Sequence, residues 1–181
     1  TREWQIRFPS NPPLYISVHV SGNLFARLDA IDRIVEIIER CGLPAETLRL
    51  EVTESVVLDH GEDVVNRLLE LRALGVQLSI DDFGTGYSSL TYLQRFHYDS
   101  LKIDRSFVSR MGTAGDSRSI VEAILMLASS LGIGVVAEGV ETADQLQRLR
   151  QMDCPHGQGF WFARPLNPIA AEALLHDNTS W

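Results

Sequence analysis

The sequence predicts an α/β fold, and within that class a (β/α) barrel of the TIM type. Two observations carry this. Short apolar runs rich in β-branched residues alternate with longer stretches of helical period along the whole chain, and nearly every short run ends on charged or polar side chains. Near-continuous apolar strands joined by helices imply a parallel sheet covered on both faces, which leaves a doubly wound sheet or a barrel. A doubly wound sheet gathers its chemistry at one switch point, whereas barrel enzymes place it at the C-terminal ends of many strands. The spread of polar strand ends favours the barrel.

The predicted strands, in order, are Tyr15 to Val20, Leu48 to Thr53, Gln77 to Asp82, Ser100 to Asp104, Gly134 to Glu138 and Gln158 to Phe162. Between them Ile31, Ile34, Val35, Ile37 and Ile38 recur at helical spacing, as do Val64, Val65, Leu68, Leu69 and Leu71, and Ile120 to Leu131 repeats the pattern. The first strand closes on His19 and Ser21, the second on Glu51 and Glu54, and the third on Asp81 and Asp82. The fourth closes on Lys102 and Asp104, the fifth on Glu138 and Glu141. The aromatic run Phe160, Trp161, Phe162 reads as a strand with one face in the core, leaving Phe160 able to stack on a flat base.

Composition sets the limits of function. At 181 residues, 45% hydrophobic and 22% charged, the chain has the proportions of one ordinary globular domain. A net charge of −8 argues against wrapping a DNA or RNA duplex, which needs a basic face, and suits a site that collects divalent cations. Cys41 and Cys154 lack metal-ligand spacing and read as two small buried thiols in a reducing compartment, with the cytoplasm as the expected location and a membrane anchor left open for a parent protein. No apolar run approaches the roughly 20 residues of a membrane span. No phosphate-cradling Gly-x-x-x-x-Gly-Lys run is present, so a nucleoside triphosphatase is not supported.

Four strand ends deliver carboxylates, and such a cluster stays ionised only where protons or metal ions absorb the repulsion. Hard oxygen donors suit Mg²⁺ or Mn²⁺, and the lack of a cysteine or paired-histidine set argues against zinc. Asp81 and Asp82 are adjacent, and neighbouring strand residues point to opposite faces. They can therefore share one region only where the strand ends and the backbone turns, a turn that Gly84 and Gly86 are free to make. Such a pair can serve two cations ~3.5–4 Å apart. Taken singly, Glu51 reads as a rim residue, Asp82 as a cap for a helix near Ser88, and Lys102 as half of an ion pair. His60, His97, His156 and His176 read as surface or loop residues, and Arg105 and Arg118 as parts of solvated helix faces.

The runs "LEVTES", "SIDDFGTGYSSL", "DSLKIDRSFV", "VVAEGVET" and "GQGFWFARPL" resemble, in order and spacing, the successive motifs of EAL domains, which hydrolyse cyclic di-GMP to linear pGpG. The resemblance implies that Glu51, Asp81 and Asp82 are metal ligands of a two-metal Mg²⁺ or Mn²⁺ site, with Asp81 bridging. It implies that Lys102 and Glu138 hold and activate the attacking water, and that Glu141, Gln158 and Asp104 line the substrate side. Glu54 would steady a loop whose residues Phe83 to Ser89 complete the metal site. Cyclic di-GMP is the implied ligand, sensor or GGDEF-type domains the implied companions upstream, and a homodimer is left open.

Two departures accompany the match. The Glu-Ala-Leu tripeptide of the family is absent from these residues, and about six of the eight βα units of such a barrel are expected, the first strands lying upstream of Thr1. The 181 residues are therefore expected not to fold independently, because six strands cannot close a barrel set for eight. Where the family has asparagine at the first strand end, this chain has His19, whose imidazole suits Mn²⁺ or Fe²⁺ better than Mg²⁺. The alternative function is an impaired domain that binds cyclic di-GMP without cleaving it or serves as an interaction module.

Overall fold

The computed structural model describes the chain except Ala26, Leu28, Ser55, residues 57–60, 87–92 and 94–97, Ala114 and residues 178–181, and gives residues 23, 25 and 61–63 as backbone alone. Six parallel strands lie in one sheet in chain order, β1 (Ile16–His19), β2 (Leu48–Thr53), β3 (Gln77–Phe83), β4 (Ser100–Ile103), β5 (Gly134–Glu138) and β6 (His156–Gln158). Helices alternate with them: α1 (Arg2–Arg7), α2 (Gly22–Phe25), α3 (Ala30–Cys41), α4 (Gly61–Ala73), α5 (Arg105–Arg110), α6 (Arg118–Leu131), α7 (Ala143–Gln151) and α8 (Pro168–Asp177). This is the architecture of an incomplete TIM-type barrel, as the alternation predicts. Among the described residues no helix is long and apolar enough to cross a membrane.

The chain divides into two compact units. One comprises residues 1–52, 56–78 and 165–181, the other residues 53–55 and 79–164. In the first, β1 and β2 pair in register from Ile16 with Leu48 to His19 with Glu51. Helix α4 buries Val64, Val65, Leu68 and Leu71 as their spacing predicts, while Leu69 of the same set is exposed. Helix α3 ends at Gly42, whose φ of 58° permits the left-handed cap that closes its last turn. Helix α1 is tied to α8 through Glu172, which accepts from Trp4 Nε1 at 2.9 Å and Arg7 Nη1 at 2.7 Å.

In the second unit β4 is buried throughout, with Leu101 and Ile103 inaccessible to solvent. It pairs with β5 from Ser100 with Gly134 to Ile103 with Ala137, and β5 pairs with β6 so that Glu138 stands beside Gln158. Helices α5 and α6 cover the unit with Phe107, Val108, Val121, Ile124 and Ala128. Helix α7 starts on a capping box, Thr142 Oγ1 accepting from Gln145 N–H while Gln145 Oε1 accepts from Thr142 N–H.

Two expectations are corrected. The last strand is His156–Gln158, and Phe160, Trp161 and Phe162 lie in the turn after it. The alternation of aromatic side chains misleads here because Gly159 is pressed onto the preceding loop: a Cβ at that position would lie 2.2 Å from Val140 O. Cys41 is exposed, at the end of an amphipathic helix whose outer face reaches it, and only Cys154 is partly buried.

Candidate active site

The adjacent aspartates are brought together by a device in the strand itself. The register of β3 against β4 slips between Ile80 and Phe83, a bulge, and Asp82 takes φ 53°, a left-handed conformation that non-glycine residues adopt at a cost. Its N–H donates to Asp81 Oδ1 at 3.1 Å, and its carbonyl accepts from Thr85 N–H and Oγ1–H. The strand therefore runs on to Phe83 instead of ending at Asp82, and Asp82 itself, not only the following glycines, supplies the positive φ. Gly84 comes next at φ 93°, with the Phe107 ring 3.0 Å from where a Cβ would stand.

Asp81, Asp82 and Glu138 each present a carboxylate oxygen, all within 4.8 Å of one another. Lys102, 5% exposed, reaches across them: its Nζ lies 2.6 Å from Glu138 Oε1 and 3.1 Å from Asp81 Oδ1. Within this cluster three carboxylates share one lysine. Burial raises the Asp82 carboxyl above its ordinary range, and repulsion from Asp81 and Asp104 adds to it. Burial likewise raises Glu138, against the pull of Lys102 and with repulsion from Asp81 and Asp82. Burial also pushes Asp104 up, but its hydrogen bonds outweigh that and hold it below the usual carboxylate range. The contact between Asp82 and Asp104 raises the one and lowers the other. An all-oxygen donor set whose carboxylates repel one another is the chemistry a hard divalent cation fits.

The other sequence-derived residues are placed as follows. Asp104 caps α5, accepting from Ser106 N–H at 2.9 Å, while it contacts Asp82. Glu54 lies against Gly86, its two oxygens buried, with a Cβ at Gly86 standing 3.5 Å from the carboxyl. Gln158 is exposed at the end of β6, beside Glu138 in register. Glu141 is exposed, and its N–H donates to Gln145 Oε1. In the other unit, His19 ends β1 opposite Glu51 of β2. Tyr87 to Ser89, His60 and His97 lie outside the described residues. Arg105 and Arg118 are exposed, Arg118 paired with Glu122 on α6, and His156 and His176 are exposed as well.

Sequence reasoning missed the coupling of Asp104 to Asp82, although the Asp-x-Ser spacing of a capped helix start was visible. It also missed Arg164, whose guanidinium lies over the Phe160 ring at 4.6 Å; the separation of four residues was the available signal.

Carboxylates and a buried lysine gathered at the ends of β3, β4 and β5 define a class, the (β/α) domains whose strand ends carry an acidic site for divalent cations. The particular family follows from comparison with known proteins. The EAL domain model matches residues 1–165, and the chain belongs to the EAL-domain family. The cyclic di-GMP phosphodiesterase NbdA of Pseudomonas aeruginosa is 44% identical over 162 residues, 90% of this chain and 21% of that protein. The phosphodiesterase MucR of P. aeruginosa, solved as a c-di-GMP complex, superposes with a TM-score of 0.88 at 38% identity, covering 94% of this chain and 68% of that one. Klebsiella pneumoniae BlrP1, solved with manganese and the cyclic dinucleotide at pH 9.0, gives a TM-score of 0.77 at 34% identity over 83% of this chain and 39% of its own. The chain spans between 20% and 29% of the length of the curated relatives it matches.

Proposed function

We propose that the protein of which this chain is part hydrolyses cyclic di-GMP to linear pGpG at a site formed by Asp81, Asp82, Glu138 and Lys102 with two divalent cations, Mg²⁺ or Mn²⁺. The observation that carries this reading is the convergence of three carboxylate oxygens within 4.8 Å around a buried lysine. Its support in the comparisons is that relatives are named cyclic di-GMP phosphodiesterases, and that a related structure holds manganese with the dinucleotide.

Asp81 and Asp82 would hold the ions, with Asp81 bridging; the family resemblance adds Glu51, and His19 would be a further ligand from the slot where the family has asparagine. Bound divalent ions supply an activated water at neutral pH and neutralise charge on the phosphate. Lys102 fixes the Asp81 and Glu138 carboxylates by charge-assisted hydrogen bonds and offers a cation to the attacked phosphate. Glu138, held by Lys102 at 2.6 Å, would take a proton from the attacking water. Glu54 supports the loop at Gly86, and Glu141, Gln158 and Asp104 take the substrate side. MucR is named as both diguanylate cyclase and phosphodiesterase, which supports GGDEF-type companions in the parent protein.

The test is product analysis with the full-length protein in Mg²⁺ and in Mn²⁺. Linear pGpG is expected, and Asp81→Asn should lower turnover by about a thousandfold or more, because an amide cannot supply a bridging charge. Tight binding of cyclic di-GMP by the unmutated protein with no pGpG under either metal would replace this reading with that of a receptor.

A further inference from the structure

Gly139 follows Glu138 of the acidic cluster and takes φ 68°, a conformation that side chains disfavour. A Cβ there would lie 2.5 Å from Arg105 Cβ and 3.3 Å from Arg105 Cα, at the first residue of α5. These atoms cannot swing aside as the end of a long side chain can. Helix α5 is anchored behind them, since Asp104 caps it by accepting from Ser106 N–H at 2.9 Å and Phe107 and Val108 are buried. On the other side the chain is stapled to the turn after β6. Val140, inaccessible to solvent, donates its N–H to Gln158 O at 3.0 Å and accepts from Trp161 N–H at 2.9 Å. The segment that leaves Glu138 is therefore gripped from two directions by backbone. The grip on the α5 side bears on the chemistry, because Asp104, next to Arg105, contacts Asp82. One dipeptide thus touches Asp82 of β3 through a carboxylate and the residue beside Glu138 of β5 through its Cα and Cβ.

We propose that Gly139 is a positioning residue for the reaction: seated without a side chain against Arg105, it sets how far Glu138 reaches into the cluster and so its distance from Asp81 and Asp82. The proposal rests on the phosphodiesterase reading for what Glu138 does, and on the packing alone for where it stands. Carbons in ordinary contact are about 3.5–4.0 Å apart, so a methyl group forced between Gly139 and Arg105 must move one of them by roughly 1 Å. With α5 anchored, the chain beside Glu138 is what moves. A misplacement of that size is enough to lower turnover about a hundredfold.

The experiment is steady-state hydrolysis of cyclic di-GMP by the full-length protein in Mn²⁺, comparing Gly139→Ala, Arg105→Gly and the two together. Gly139→Ala should lower kcat about a hundredfold and leave KM within about threefold. Arg105→Gly removes an exposed side chain, leaves Gly139 unobstructed and should stay within about threefold. In the double variant the methyl group enters the space vacated by Arg105 Cβ, and kcat should recover by about tenfold or more. Strain at φ 68° is the same with or without Arg105, so a double variant no better than Gly139→Ala would overturn the proposal. Full activity of Gly139→Ala would overturn it as well, and so would loss of folding in both Gly139 variants, which would make the glycine a requirement of the fold. The phosphodiesterase reading fails separately, if the unmutated protein forms no pGpG. The positional claim is then decided by metal-free crystals of the same proteins, in which the 2.6 Å contact of Lys102 Nζ with Glu138 Oε1 should lengthen in Gly139→Ala and return in the double variant. An unchanged contact in Gly139→Ala would overturn it.

Discussion

Strands β4 and β1 are equally short and comparably apolar, yet their surroundings differ completely. In β4 every residue is buried, including Lys102, whereas in β1 every residue is exposed, with Ile16 at 38% and Val18 at 40%. Apolar character licenses a strand, but only neighbours on both faces turn it into core. The contrast extends to chemistry. Lys102 is buried and its charge is met by two carboxylates at close range, so its position is over-determined; His19 ends a strand whose side chains are open to solvent. Precise geometry at an active site needs a packed shell behind it, and β4 has one.

The largest effect expected from this contrast is at Lys102. Lys102→Met removes the one cation of the cluster and leaves Asp81 buried among like charges, a change of the kind that costs about 3 kcal/mol or more when a buried pair is broken. Urea unfolding should show that loss, together with loss of pGpG formation. Unchanged stability would mean that Lys102 is poorly desolvated and that the contrast with β1 is overstated.

A smaller and purely apolar comparison follows. Leu101→Ala empties a site that is inaccessible to solvent and should cost roughly 3 kcal/mol, within the usual range for core truncations. Val18→Ala, in β1, should cost under about 1 kcal/mol wherever β1 stays as open as it is here. If the same Val18 substitution costs as much as Leu101→Ala in the full-length protein, residues beyond this chain cover β1. That result would bear out the reading that six of eight βα units are present.

The smallest effect is a pH dependence in chelator. Asp82 and Glu138 have folded values above their unfolded ones, so the native state holds protons that the unfolded chain releases. Their stabilisation is complete below the ordinary carboxylate range, about 4, and is lost as pH rises through the raised values. Asp104, held low, contributes with the opposite sign, its stabilisation being lost as pH falls below that range. With metal removed, the difference in stability between pH 5 and pH 7.5 should therefore be more negative for the unmutated protein than for Asp82→Asn. Identical slopes would show that Asp82 does not carry the excess protonation, and added Mn²⁺ should reverse the loss at pH 7.5.

The sequence by itself determined the alternation of strands and helices, the polar strand ends and the motifs of the family, because these are local patterns of side-chain type and spacing. Ser100–Ile103 and Gly134–Glu138 were legible as apolar runs, and Asp81, Lys102 and Glu138 as polar residues at their ends. Only the tertiary structure decided how these side chains share a charge. The bulge and left-handed backbone that turn Asp82 toward Asp81, the opposite shifts of Asp82 and Asp104, and the 2.6 Å contact between Lys102 and Glu138 depend on register between strands and on exclusion of water. Register and desolvation are properties of segments distant in the chain. For the same reason the aromatic run after Gln158 read as a strand: its alternation is local, while the backbone of Val140 that turns it at Gly159 is supplied by a residue nineteen positions earlier.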